Sequence, residues 1–380
     1  MFLDSITARA LKIPFNAAFK HASAERHVTQ ALWVEAVARD GTTGFGEGCP
    51  REYVTAESQQ TAQAFVAMHK AEWLSAVRDT ETLINWIAQH QSDVDANPSA
   101  WTAVEIALLD LLGKSAGRSV EAMLGLPELA GRFLYTAVLG DASIDKFETQ
   151  LKHYLRAGFR DFKIKLSGER VRDRAKVQAL VAAGVAAQSV RADANNLWSD
   201  ADSAIRDLAA LEFPFIALEE PLRAGDYDGM HRIAVTLGTN IILDESMLRV
   251  EQLGRLGNSV DRWIANVRVS KMGGLMRSLE FLRAARHLGL RVILGAHVGE
   301  TSVLTRAALT VANVARDILF AQEGAFGTHL LACDVIEAPL MFGPGGILDP
   351  VELGIRSDSG LGLPVSRAAL QKIVDGEASA

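Results

Sequence analysis

Two cysteines, Cys49 and Cys333, are all that 380 residues contain. So few, so far apart, they make no disulfide framework, and reduced thiols in a cytoplasmic protein are expected. Long runs of lysine and arginine are missing, and the formal charge is −7. A nucleic acid or an anionic membrane would therefore find no electrostatic footprint. No long uncharged apolar run suggests a membrane span. Met1 to Phe15 lacks a basic segment followed by a continuous apolar stretch, which speaks against a secretion signal. What remains is ordinary globular composition, 49% hydrophobic and 22% charged. The length suits one large barrel with a smaller companion domain.

The first part of the chain reads as sheet and then helix. Ser5–Ile13, Val28–Arg39 and Gly44–Gly48 form a β-rich meander, with Asp40-Gly41 as a turn signal. Helical periodicity follows over Thr55–His69, Asp79–Gln89 and Ser99–Gly117. This α+β domain spans residues 1–128. From residue 129 to 350 short apolar runs alternate with amphipathic helices. The runs are Phe133–Leu139, Asp161–Leu166, Ser189–Asp193, Phe215–Glu219, Ile241–Asp244, Trp263–Val269, Arg291–Leu294 and Ile318–Gln322. Their spacing suits one βα unit each. An open α/β sheet would need a glycine-rich phosphate loop after its first strand, and none is present there. The Gly44–Gly48 cluster lies in the early meander and reads as turn geometry. A TIM-type barrel is the expected fold. Residues 351–380, Gly/Pro-rich and then short-helical, are expected to pack back on the other two domains.

In such a barrel the C-terminal ends of the strands carry the active site. Here they read Lys163-Ile164-Lys165, Asp193-Ala194-Asn195, Glu219-Glu220-Pro221, Asp244-Glu245-Ser246, Lys271-Met272-Gly273-Gly274, His297-Val298-Gly299-Glu300 and Gln322-Glu323-Gly324. One polar strand end is ordinary solvation; seven in register are hard to explain that way. Asp193, Glu219 and Asp244 come from three adjacent strands. Oxygen donors without a nearby cysteine suit a hard cation, Mg²⁺ or alternatively Mn²⁺. The structural alternative is ion pairing with Lys163 and Lys165. Strand alternation selects Glu219 over Glu220 as the inward carboxylate. Lys165 precedes the acids and Lys271 follows them, so the two flank a substrate bound between. Either can act as a base for a proton next to a carboxylate.

These motifs resemble the enolase superfamily, in its mandelate racemase/muconate lactonizing enzyme family and the muconate-lactonizing subgroup. The resemblance spans nearly the whole chain. It implies a modified (β/α)7β barrel with a capping domain, Mg²⁺ on Asp193, Glu219 and Asp244, and Lys165 with Lys271 as the acid/base pair, the pattern known for that superfamily. Lys163 would hold or polarise the substrate carboxylate. Asn195 and Glu245 would stand behind the ligands, Glu245 oriented toward Lys271. Capping loops map to Phe15–Arg26 and Gly48–Val54, with Phe19, His21, Arg26, Arg51 and Tyr53 as candidate substrate-binding residues. Two positions depart from the pattern. His297 stands where the subgroup more often has a small or uncharged residue, and is read as a pocket hydrogen-bond donor. Glu323-Gly324 lacks the paired acids with which dipeptide epimerases bind an ammonium; Glu323 alone would bind a cationic group or orient a lysine.

The expected activity is Mg²⁺-dependent abstraction of the proton α to a carboxylate, through an enediolate, in a muconate-cycloisomerase-like isomerase. The alternatives are a racemase or epimerase of (N-acyl) amino acids or dipeptides, and an o-succinylbenzoate-synthase-like dehydratase. A non-catalytic barrel predicts lost acids or lysines, and all five are present. The expected partner is a small carboxylate substrate, with neither nucleic acid nor membrane, and the family resemblance implies a homo-oligomer.

Overall fold

The structure is a computed structural model that describes residues 1–21, 24–257, 259–355 and 359–374, the side chains of residues 17–26 and 374 excepted. Five strands open the chain: β1 (Leu3–Leu11), β2 (Pro14–His21), β3 (Ala24–Val28), β4 (Ala31–Ala38) and β5 (Thr43–Gly48). The expected meander is there, an antiparallel sheet in the order β1-β4-β5. β2 and β3 form a separate hairpin where the sequence suggested a loop. Its base is stitched to the segment after the last barrel strand, through Asn16 N to Leu330 O (2.8 Å) and Ala332 N to Pro14 O (2.9 Å).

The glycines of β5 are not turn residues, as their clustering suggested. They let the helix Pro98–Ala116 lie directly on the strand. A Cβ at Gly44, Gly46 or Gly48 would stand 2.1, 1.9 and 2.0 Å from the carbonyl oxygens of Ala107, Ala103 and Ser99. Two residues of strand advance about 6.6 Å and four residues of helix about 6.0 Å. The i, i+2 glycines therefore keep step with the i, i+4 carbonyls.

After β6 (Phe133–Leu134) come β7 (Ala137–Leu139), β8 (Phe162–Lys165), β9 (Val190–Asp193), β10 (Ala217–Glu219), β11 (Asn240–Leu243), β12 (Trp263–Val267), β13 (Arg291–Leu294) and β14 (Leu319–Gln322). From β7 to β14 each pairs in parallel with the next. The ring closes where Thr136 N donates to Gln322 O (2.8 Å). This is the modified TIM barrel the sequence predicted. The first expected strand is split at Tyr135–Thr136, and the sixth stops at Val267, two residues short of its expected end. Helices fill the connections except between β11 and β12, where 3₁₀ turns at Val250–Arg255 and Val260–Arg262 stand instead. Ala217, Ile242, Ile264 and Ile293 pack as a buried apolar cluster of their own in four adjacent strands. β15 (Ile347–Leu348) pairs antiparallel with β6. Beyond it, Leu361 N donates to Asp110 Oδ1 (2.9 Å) and Arg306 Nε to Leu361 O (2.8 Å), so the tail touches both the capping domain and a barrel helix. Among the described residues no helix is long and apolar enough to cross a membrane.

Buried carboxylates fix the capping domain to the barrel by taking up helix N-termini, whose N–H groups have no partner within the helix. Glu47, on β5, accepts from Thr301 N (2.9 Å), Thr301 Oγ1 (2.6 Å) and Leu304 N (3.2 Å) at the start of the barrel helix Ser302–Ala315. Glu105 accepts from Leu275 N (2.5 Å) at the start of Gly274–Leu288. Burial outweighs these hydrogen bonds and pushes both carboxyls up to about 8. In the unfolded chain they titrate near 4.5. Between those values the folded chain holds protons that the unfolded chain has released, so each group lowers stability as pH rises across that window. Glu47→Gln should make the fall in unfolding free energy over this range shallower than in the parent chain, as read by urea denaturation at stepped pH. An unchanged slope would count against Glu47 as a titrating group.

Candidate active site

Register places the charged strand ends at one level. Lys165 pairs with Asp193 across β8 and β9, Asp193 with Glu219 across β9 and β10, and Asp244 follows immediately after β11. All three carboxylates are buried. Alternation sends Glu220 the other way, as expected. Its carboxylate accepts from Asp244 N (2.8 Å), Ser246 N (2.7 Å) and Ser246 Oγ (2.9 Å) and so holds the β11 end in place.

Four cations meet these acids. Lys163 Nζ lies 2.6 Å from Glu219 Oε2, 2.9 Å from Glu323 Oε2 and 3.1 Å from Asp193 Oδ2. Lys165 Nζ donates to Asp193 Oδ2 (2.5 Å) and Asn195 Oδ1 (2.9 Å). Arg268 pairs with Asp244 and stands 3.8 Å from Glu219 Oε1. Lys271 is wholly buried and donates to Asp244 Oδ1 (2.9 Å), Asp244 O (2.8 Å) and Asn266 O (2.6 Å). Against the penalty of burial, Lys165 and Lys163 hold Asp193 below the usual carboxylate range, and Arg268 and Lys271 do the same for Asp244. Glu219 goes the other way. Burial raises it, Lys163 opposes, and the charges of Asp193, Glu323 and Asp244 push it further up. Lys163 is held protonated, because Glu219, Glu323 and Asp193 outweigh its own desolvation.

A cavity opens above this cluster. Lys163, Lys165, Asn195, Glu245, His297 and Glu323 reach its wall from the barrel, and Tyr53 from the capping domain. Val138, Ala296, Val298, Phe326 and Leu330 make an apolar side. Lys271 does not line this cavity; it sits behind Asp244. Arg51 does not line it either. Its guanidinium is buried and donates to Gln30 O (2.9 Å), Pro50 O (2.7 Å) and Val298 O (2.7 Å), so it braces the wall rather than facing a ligand. Glu245 also departs from expectation. It makes no hydrogen bond or ion pair with Lys271, its Oε2 has no hydrogen-bond partner, and after burial the charges that act on it are Asp244, Arg268 and Asp193. Glu323 is committed to Lys163 and lies 3.6 Å from Arg191, which favours its lysine-orienting role. His297 N donates to Glu300 Oε1 (2.6 Å), with ring Nδ1 3.6 Å from the same oxygen. Burial pushes the Glu300 carboxyl up to about 7. The side chains of Phe19, His21 and Arg26 lie outside the described residues.

Arg268 is the charged residue that sequence reasoning missed. The sixth strand was expected to run to Val269, which hid Arg268 inside it. Because the strand stops at Val267, Arg268 is its first polar residue beyond the end and was there to be read.

Asp193, Glu219 and Asp244 are the residues that could hold a metal. They offer oxygen only and come from the ends of three adjacent strands, and in this structure Lys163 and Arg268 stand among them. A hard divalent cation fits that set. If so, Lys163 and the cation share one task. Lys163→Met leaves buried carboxylates without their nearest cation and should cost about 3–5 kcal/mol of stability in metal-free buffer. Part of that loss should return on adding Mg²⁺, measured by thermal or urea unfolding. An equal loss with and without Mg²⁺ would contradict the shared role.

The chain matches two family models: the mandelate racemase/muconate lactonizing enzyme N-terminal domain over residues 5–125, and the enolase C-terminal domain-like model over residues 146–369. The L-Lys-D/L-Arg epimerase of Methylococcus capsulatus is 27% identical over 370 residues, 96% of this chain and 99% of that one. A solved dipeptide epimerase from the same organism, complexed with Mg and L-Arg-D-Lys, superimposes with a TM-score of 0.80 at 26% identity, covering 96% of this chain and 100% of that one. A hydrophobic dipeptide epimerase of Roseobacter litoralis is 31% identical over 281 residues, 72% of this chain and 78% of its own length. The N-succinyl-L-Arg/Lys racemase of Bacillus cereus is 22% identical over 380 residues, 98% of each chain. A barrel with acids and lysines at its strand ends and an α+β cap is the architecture of an enolase-superfamily isomerase. This chain belongs to the mandelate racemase/muconate lactonizing enzyme family.

Proposed function

We propose that the chain is a Mg²⁺-dependent racemase or epimerase that exchanges the proton α to a substrate carboxylate, acting on N-acyl amino acids or related dipeptides. The observation that carries this reading is the placement of two lysines at opposite ends of the carboxylate triad. Lys165 is held through Asp193, the first acid, and Lys271 through Asp244, the last. Bound there, Mg²⁺ would supply positive charge to the substrate carboxylate and so acidify the α-carbon. Lys165, on the cavity wall, takes the α-proton from the face that opens on the cavity. Lys271 would deliver a proton to the other face after turning from Asp244 and Asn266 toward the cavity, which it does not line in this structure. Asn195 keeps Lys165 Nζ directed, and the buried site excludes the bulk water that would quench the charge developing on the substrate.

The relatives with racemase and epimerase names move the reading away from the cycloisomerase expectation. The apolar side formed by Val138, Ala296, Val298, Phe326 and Leu330 suits the acyl group or an apolar side chain.

The test is proton exchange in D₂O with Mg²⁺, following the α-hydrogen of L and D forms of N-acyl amino acids and dipeptides by NMR. The parent chain should exchange both stereoisomers of its substrate. Lys165→Ala and Lys271→Ala should each abolish exchange with one stereoisomer, and opposite ones. If each variant still exchanges both, the lysines are not the acid/base pair.

A further inference from the structure

Three ligating side chains converge on the capping domain, and none of them lines the barrel cavity. His69 and Glu72 lie one turn apart on the helix Gln59–Ala76, and His90 ends the next helix, Thr80–Gln89. Glu72 reaches both rings: Oε2 is 3.5 Å from His69 Nδ1, and Oε1 is 3.3 Å from His90 Nε2.

The hydrogen bond behind His90 decides what this arrangement is suited for. Its Nδ1 lies 2.9 Å from Trp86 O. A carbonyl oxygen only accepts, so Nδ1 carries the proton. In the neutral ring, Nε2 then presents a lone pair to a carboxylate oxygen, and two acceptors that close repel unless positive charge lies between them. A backbone carbonyl on the far nitrogen is also how metal-bound imidazoles are held in one tautomer. Both rings are fixed by packing. His90 stacks on Trp86 with centroids 4.2 Å apart, and His69 meets Trp86 edge-on at 5.4 Å. Ligand atoms around a tetrahedral zinc lie roughly 3.4 Å apart, given bonds of about 2.1 Å. The two measured separations, each to a different oxygen of Glu72, are of that size, and one donor atom from each of the three residues lies within 4.8 Å of the other two. Glu72 is 41% exposed, so water can complete the coordination.

We infer that His69, Glu72 and His90 form a Zn²⁺-type site that clamps the helix Gln59–Ala76 to the helix Thr80–Gln89. Its nitrogen donors separate it from the all-oxygen triad of the barrel, because imidazole favours zinc and carboxylate oxygen favours magnesium.

The experiment is calorimetric titration of the full chain with Zn²⁺ in excess Mg²⁺, comparing the parent with His90→Gln, Glu72→Gln and the double variant His69→Gln/His90→Gln. The parent should bind one more Zn²⁺ per chain than the double variant. The single variants should bind that ion at least about tenfold more weakly. Glu72→Gln, at a half-exposed position, keeps the test clear of folding defects. Zinc uptake that is the same in parent and double variant would overturn the proposal.

Discussion

Carboxylates taken out of water at the barrel mouth set the terms for the rest of the site. Asp193, Glu219, Asp244, Glu245 and Glu323 share one buried region, and each must meet a cation or take a proton. Lys163, Lys165, Lys271 and Arg268 answer most of that demand. Their placement divides the cluster. Asp193 is held ionised by Lys165 and Lys163 and Asp244 by Arg268 and Lys271, while burial and the neighbouring acids raise Glu219 against the pull of Lys163.

Buried carboxyl groups hydrogen-bonded to helix N-termini join the cap to the barrel. Glu47 and Glu105 reach from the capping domain onto the N-termini of two barrel helices. The glycines of β5 bring the helix Pro98–Ala116 close enough for this to work. With the cap seated, Arg51 braces Val298 and Tyr53 closes one side of the cavity.

Much of this was legible in the sequence because strand alternation is strict. Choosing Glu219 over Glu220 needed only a period of two, and the structure shows the second carboxylate facing backbone N–H groups on the opposite side. What could not be read depended on contacts distant in sequence. Arg51 looks like any polar loop residue until three carbonyls are seen to surround its guanidinium. Glu245 and Lys271 seemed natural partners, but Asp244 and Asn266 take the lysine's donors first. The β5 glycines carry a turn-like composition, and their purpose appears only when the helix packed on them is known. Arg268 was missed for a smaller reason, a strand end placed two residues too far along.

A divalent cation held by the ends of β9, β10 and β11 is the centre of the proposed chemistry. Anomalous diffraction from crystals soaked in Mn²⁺ tests it most directly. The account predicts a peak bonded to Asp193, Glu219 and Asp244, with Lys163 displaced from Glu219. A triad without a peak, its acids still paired only with lysine and arginine, would contradict it.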